Sequence, residues 1–273
     1  MKNPSLNAII GGILTATLLT IAVVGSFWTP YNPLALDFTA RLAPPSAVHW
    51  LGTDEFGRDQ LSRLMRGASA SVSISVFTVF LATLGGVLIG AISGFLRGWF
   101  DRLLMMVNDA LLAFPGILMA LGLLAVFGAN KNGIILALAL AYMSSVIRVV
   151  RGTVLSLRER EFVEASRVMG NSEIYTMVRH ILPNCLAPVL VMATSMCGWA
   201  ILAESSLSFL GLGVPPPAPT WGGNMLAGSR NFIEQAVWLG IFPGLAISLS
   251  LLGINLLGDA LRDRLDPRMR KRS

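Results

Sequence analysis

Glu161-Phe-Val-Glu-Ala-Ser-Arg-Val-Met-Gly170, followed after nine residues by His180-Ile-Leu-Pro183, is a polar insert between two long apolar runs. At helical periodicity Phe162, Ala165, Val168 and Met169 share one face, while Glu161, Glu164 and Arg167 share another. Gly170 permits a turn that other residues resist. A second amphipathic helix is expected next: Asn171 or Ser172 caps its start, Glu173 complements its first turn, and Ile174, Met177, Val178 and Ile181 line one face. Arg179 and His180 suit its C-terminal end, and Pro183 is expected to break it before the following apolar run. The pattern predicts two short helices at a sharp angle, a stiff elbow on an apolar body. From pattern alone, an amphipathic hairpin lying on the membrane surface fits as well.

The body around this elbow is far outside the soluble norm, with 54% hydrophobic and only 13% charged residues. Six windows are long and apolar enough to cross a bilayer: about Leu6 to Trp28, Val72 to Leu96, Leu103 to Phe127, Gly133 to Val150, Ala187 to Leu207 and Ala236 to Leu257. With both termini cytoplasmic, 15 of the 21 Lys and Arg fall inside, among them Lys2, Arg97, Arg102 and the arginines from Arg148 to Arg179. Six fall outside: Arg41, Arg58, Arg63, Arg66, Lys131 and Arg230. That asymmetry satisfies the positive-inside rule, so the net charge of +6 is a topology signal. Basic residues scattered over loop ends argue against a nucleic-acid partner. The first run exceeds a signal-peptide core and lacks a clear cleavage site, so it reads as a retained helix. Cys185 and Cys197 lie ~18 Å apart along a helix, too far for a disulfide.

Between the first two spans, Asp54 with Arg58 and Asp59 with Arg63 are spaced as helical pairs, and Leu61, Leu64 and Met65 share the other side. A short surface helix follows, either interfacial at the outer leaflet or part of an external gate or docking site. Gly86, Gly90 and Gly94 form a small-residue stripe for close helix packing. Phe-Pro-Gly occurs at 114–116 and 242–244, each time inside a span, and predicts kinked helices. The loop Gly211 to Gly223 is too rich in breakers to be helical, and its Trp221, with Trp238, suits the interfacial aromatic belt. The short basic tail from Arg262 can rest on anionic lipid or a cytoplasmic partner.

Several chemistries find no support. A phosphate-binding loop ends in Gly-Lys-Ser/Thr, and Lys2, Lys131 and Lys271 follow Met, Asn and Arg. His49 and His180 fall on opposite sides of the membrane, outside any ligand cluster, so no metal site is expected. Asp109 and Glu204 are carboxylates inside spans, either part of a proton or cation route or hydrogen-bonded braces near Asn108 and Ser205. Polar positions that could line a pathway are Asn108, Ser144, Ser145, Ser205 and Asn255.

Glu164-Ala165, Gly170 and Leu182-Pro183 together resemble the EAA loop of bacterial ABC importer permeases, with Ser166 and His180 as mild departures. His49-Trp-Leu-Gly-Thr-Asp-Glu-Phe-Gly-Arg-Asp59, Arg158-Glu-Arg-Glu-Phe162, Arg179-His-Ile-Leu-Pro-Asn184, Ser208-Phe-Leu-Gly-Leu-Gly213 and Gly258-Asp-Ala-Leu-Arg-Asp263 are similar to the dipeptide, oligopeptide and nickel branch of that family. The resemblance covers nearly the whole chain from about Trp28. It implies an all-α integral membrane protein with six transmembrane helices, the type I importer fold, and a cytoplasmic coupling loop over 158–183. Residues 1–66 would be an N-terminal helix with an extracytoplasmic segment, and 67–273 the core permease domain. The implied partners are a second, homologous permease, two ATPase subunits that carry the ATP and Mg, and a solute-binding protein, at a bacterial inner membrane. The implied ATPase contacts are Glu164, Ala165, Gly170, Asn171, Ser172, Ile174 and Tyr175. The implied cargo is a di- or oligopeptide, with a nickel chelate as alternative and no enzymatic activity in the chain. A stand-alone proton-coupled transporter is the rival reading.

Overall fold

A computed structural model describes residues 6–265, and among these the chain is helical with no named strand. Lys2 and tail residues 266–273 lie outside the described residues. The long helices are α1 (Leu6–Phe27), α2 (Gln60–Leu96), α3 (Gly98–Leu112), α4 (Gly116–Phe127), α5 (Lys131–Leu157), α8 (Leu182–Leu207) and α9 (Trp238–Leu265). Two short helices, α6 (Glu161–Val168) and α7 (Glu173–Thr176), stand between α5 and α8. Five helical stretches are long and apolar enough to cross a membrane, and a sixth crossing results if the bent pair α3–α4 counts as one.

The centre of the bundle is the contact between α2 and α5. Added Cβ atoms at Gly86, Gly90 and Gly94 would sit 2.5 Å from Val146 Cβ, 2.7 Å from the Ile147 carbonyl and 2.9 Å from Val154 Cγ1. The glycine stripe therefore brings two backbones together, as its spacing predicts. Helix α1 packs outside this core against α9 and the start of α2, burying only Gly11, Leu18, Ala22 and Gly25. At 37 residues α2 is about 55 Å long, so its two ends belong to opposite sides of the bundle.

The start of α2 corrects the expected surface helix. Asp54 to Asp59 is a loop closed by a Thr53–Asp59 bridge, and Gln60 to Met65 are already the first turns of α2. Asp59 caps that helix, accepting from the Ser62 amide at 2.8 Å, and its other oxygen lies 2.9 Å from His49 Nδ1. With Asp59 occupied, Arg63 pairs instead with Asp54, at 3.3 Å, while Arg58 Nε donates to the same carboxylate at 2.6 Å. Arg63 also donates to the Pro33 carbonyl. One buried carboxylate thus holds two guanidinium groups.

The tryptophans correct a second expectation. Trp221 is buried against Gly67 and donates to the Leu64 carbonyl at 2.9 Å, and Trp238 donates to the Thr53 carbonyl at 3.1 Å. Both fasten the loops at the end away from the elbow to the helices rather than forming a lipid belt, because each indole N–H finds a protein carbonyl inside the fold. The breaker-rich loop is irregular over 213–220, flanked by π-type turns Ser208–Leu212 and Trp221–Ala227.

The third expected span is not one kinked helix. At Phe114-Pro115-Gly116 the chain turns by 98° between α3 and α4. Pro115 has no N–H to continue α3, and its extended ψ of 126° starts α4 in a new direction. The second Phe-Pro-Gly lies inside an uninterrupted α9. The difference is cover: α9 is clasped by α1 and α8, whereas α3 buries only Asp101 and Asn108.

Gly90→Val should lower the melting temperature of the detergent-solubilised protein, corresponding to about 1–3 kcal/mol of overpacking. Gly122→Ala, which meets nothing within 4 Å, should leave it unchanged. Thermal melts of both variants check this.

Candidate functional site

The elbow is α6 and α7 with the turn between them. Gly170 takes φ +84°, a left-handed conformation that other side chains disfavour, and a Cβ there would meet nothing within 4 Å. Glycine is needed for the backbone, not for space. Ser172 caps α7 by accepting from the Tyr175 amide at 3.2 Å. Asn171 instead reaches back, its amide donating to the Ser166 carbonyl and its Nδ2 to Ser166 Oγ, each at 3.2 Å.

The buried face differs from the one expected. Val163 and Ser166 face inward from α6, whereas Phe162, Ala165, Val168 and Met169 are exposed. Ser166 Oγ lies 2.9 Å from Thr176 Oγ1, and both hydroxyls are buried. The inner corner of the elbow is therefore a small polar knot, braced outside by an Arg167–Glu173 ion pair at 2.7 Å. Periodicity assigned the face from bulk apolar residues, and the fold chose the smaller one. From the second arm Met177 and Ile181 are buried, while Ile174 and Val178 stay exposed.

Pro183 does not end the second helix. Helix α7 runs through a π-type turn, Met177–Ile181, into α8, and Leu182 N–H donates to the Met177 carbonyl. The wider turn moves the backbone away from the proline ring and spares the bond that proline cannot make. Glu173 to Leu212 becomes one 40-residue helical stretch. At the other arm, Arg158 Nη1 donates to the Gly94 and Phe95 carbonyls at 3.2 and 2.6 Å, satisfying the open end of α2. Burial, then the nearby Arg97 and Arg167 charges, pushes the Arg158 pKa down.

Of the residues assigned to ATPase contact, Glu164, Ala165, Gly170, Ser172, Ile174 and Tyr175 are exposed and Asn171 is half-buried. They lie together around one turn. Val168, Met169 and Val178 extend the exposed apolar surface beside them.

The five pathway candidates are not brought into one place. Asn108 and Ser144 are buried together, with Asn108 Nδ2 donating to the Ser144 carbonyl at 3.2 Å, so they tie α3 to α5. Ser205 is buried beside Glu204 on α8. Ser145 and Asn255 are half-buried. Glu204 is enclosed and accepts from Ser71, Ser208 and Ser205 at 2.9, 2.8 and 3.4 Å, which is the bracing role. Asp109 is exposed and pairs with Arg148, not with Asn108. One further ion pair escaped the sequence reading: Asp101 takes both its oxygens to Arg151, at 2.6 and 2.8 Å. Opposite charges at the facing ends of two predicted spans were the available signal.

The elbow is thus an exposed turn joined by continuous helix to a membrane-spanning helix. Residues 86–271 match the family described as binding-protein-dependent transport system inner membrane component. The chain belongs to that family. Named relatives cover nearly all of it. The dipeptide transport system permease protein of Alkalihalophilus pseudofirmus is 41% identical over 96% of this chain and 86% of its own. The di/tripeptide transport system permease protein of Pseudomonas aeruginosa is 40% identical over 96% and 88%. The glutathione transport system permease protein of Pectobacterium atrosepticum is 38% identical over 96% and 87%. As a member of this family the chain is a multi-pass permease subunit of the inner membrane, not an enzyme. Such a subunit works with an ATPase and a solute-binding protein.

Gly170→Val should raise the ATP hydrolysed per solute imported by the reconstituted transporter, since a β-branched residue resists the left-handed turn. Gly170→Asn, which tolerates it, should stay near wild type. Membrane insertion, checked by immunoblot of the membrane fraction, should be normal in both.

Proposed function

We propose that this chain is one of two homologous permease subunits in an ATP-driven importer of di- and oligopeptides, moved by two ATPase subunits that hold the ATP and Mg. The observation that carries this reading is the exposed elbow continuing through Met177–Ile181 into α8. A push on the turn is then a push on a spanning helix. Glu164, Ala165, Gly170, Asn171, Ser172, Ile174 and Tyr175 form the ATPase contact, supported by their exposure around one turn. Relatives named for dipeptides, di/tripeptides and glutathione support a peptide cargo. Residues 67–273 act as the transporting core and 1–66 as its peripheral helix and outer segment.

Both termini are assigned to the cytoplasm. The length of α2 supports this, because it sets the elbow, with Arg97, Arg158, Arg160 and Arg167, at the opposite end from the less basic segment 28–59. At that outer end a cavity of about 490 Å³ lies between Glu55, Arg58, Pro215, Pro216 and Asn224, a site for solute entry. Burial pushes the Glu55 pKa up there. Ser145 and Asn255 are the pathway candidates with surface to offer, while Asn108, Ser144 and Ser205 hold the helices that frame it.

Vesicles containing the chain, a companion permease, the ATPases and the binding protein should accumulate labelled dipeptide only with ATP and every partner present. Uptake by this chain alone under a pH gradient, or of a nickel chelate in place of peptide, overturns the reading. In a background lacking Cys185 and Cys197, Ser172→Cys should react with an impermeant maleimide only from the cytoplasmic side. Trp50→Cys should react only from outside.

A further inference from the structure

Helix α5 carries two arginines one turn apart that meet carboxylates on α3, and the two pairs are built differently. Arg151 forks onto both oxygens of Asp101, which also accepts from Ser93 Oγ; Asp101 is buried and Arg151 half-buried. Arg148 makes one bond, from Nη2 to Asp109 Oδ1 at 2.5 Å, and both side chains are 57% exposed. Its Nε–H and Nη1 donors, and Oδ2 of Asp109, have no partner among the described residues. Beside them Asn108 Oδ1 is buried without a partner.

The depth of the open pair gives it meaning. Arg148 lies about 14 Å from the Leu157 end of α5 and about 26 Å from the Lys131 end, just inside the elbow-side edge of the expected span. Hydrocarbon cannot supply the missing hydrogen bonds, so in the assembled transporter this face meets water, a polar ligand or the companion permease. A lone salt bridge with one spare carboxylate oxygen and one spare guanidinium edge offers the two complements of a zwitterion.

We infer that Asp109 and Arg148 form a binding site on the solute path for a molecule carrying a free ammonium and a free carboxylate. Asp109 Oδ2 accepts from the ammonium, and the open edge of Arg148 donates to the carboxylate. This rests on the reading that the cargo is a peptide, whose two termini are those groups. No covalent chemistry is involved, and the charge balance of the site is the same empty and filled.

The test uses the complete reconstituted importer with binding protein saturated by each peptide. Arg148→Gln should raise the KM for a dipeptide with free ends about tenfold, the scale of a lost charge-assisted contact, and change uptake of its C-terminal amide less than about twofold. Asp109→Asn should do the same for the free amine against the N-acetyl form. Equal loss for all peptides marks the pair as structural and overturns the site. If the unaltered importer moves no peptide, the proposed function fails instead. Whatever the solute, Ser145→Cys and Gly152→Cys, in a background lacking the native cysteines, should react with a charged thiol reagent in the assembled transporter. Protection of both overturns the inference.

Discussion

The bond from the Leu182 amide to the Met177 carbonyl carries the helix past Pro183, and the mechanical character of this permease subunit depends on it. An ordinary helical turn there would place the proline ring against a carbonyl and kink or break the helix. A hinge would then separate the elbow from the membrane. The π-type turn removes that hinge. A displacement of the Gly170 turn reaches α8 along continuous backbone hydrogen bonds, and α8 carries the enclosed Glu204 at its far end.

The other arm of the elbow is tied just as directly. Arg158 fills the open carbonyls of α2, the helix whose glycine stripe lies against α5. Backbone-to-backbone packing along three glycines leaves α2 and α5 little freedom to slide. Helix α3 is different, since it meets α5 mainly through Asp101, Asn108 and Asp109. Interhelical polar contacts in membranes are worth about 0.6–2 kcal/mol each, so this attachment is weaker than the close-packed core. The bundle thus combines a stiff centre with a bent, thinly covered pair, α3–α4, at its side.

At the end of the bundle away from the elbow, stiffness comes from charge and from indole N–H groups. Asp54 gathers Arg58 and Arg63, Asp59 caps α2 while holding His49, and two tryptophans tie the loops to backbone carbonyls. Removing Asp54 would leave the fully enclosed Arg63 without its ion-pair partner, while Arg58 would keep Glu55 at 3.7 Å. The elbow therefore stands at the opposite end of the bundle from this anchored face.

Much of this was written in local order. Apolar run lengths located the spans, the glycine spacing located the α2–α5 contact, and Gly170 with Ser172 located the turn of the elbow and its cap. These features depend on residues within a few positions of one another, and backbone geometry reads them the same way anywhere. The sequence by itself therefore determined a helical membrane bundle with a protruding elbow. Only the tertiary structure decided that one Phe-Pro-Gly bends the chain by 98° while the other stays inside an unbroken helix. Packing likewise chose Asp54 over Asp59 for Arg63, buried Trp221, turned Ser166 inward and set Asp109 against Arg148. In each case the outcome depends on which distant group reaches the side chain first, and on whether neighbouring helices cover the break.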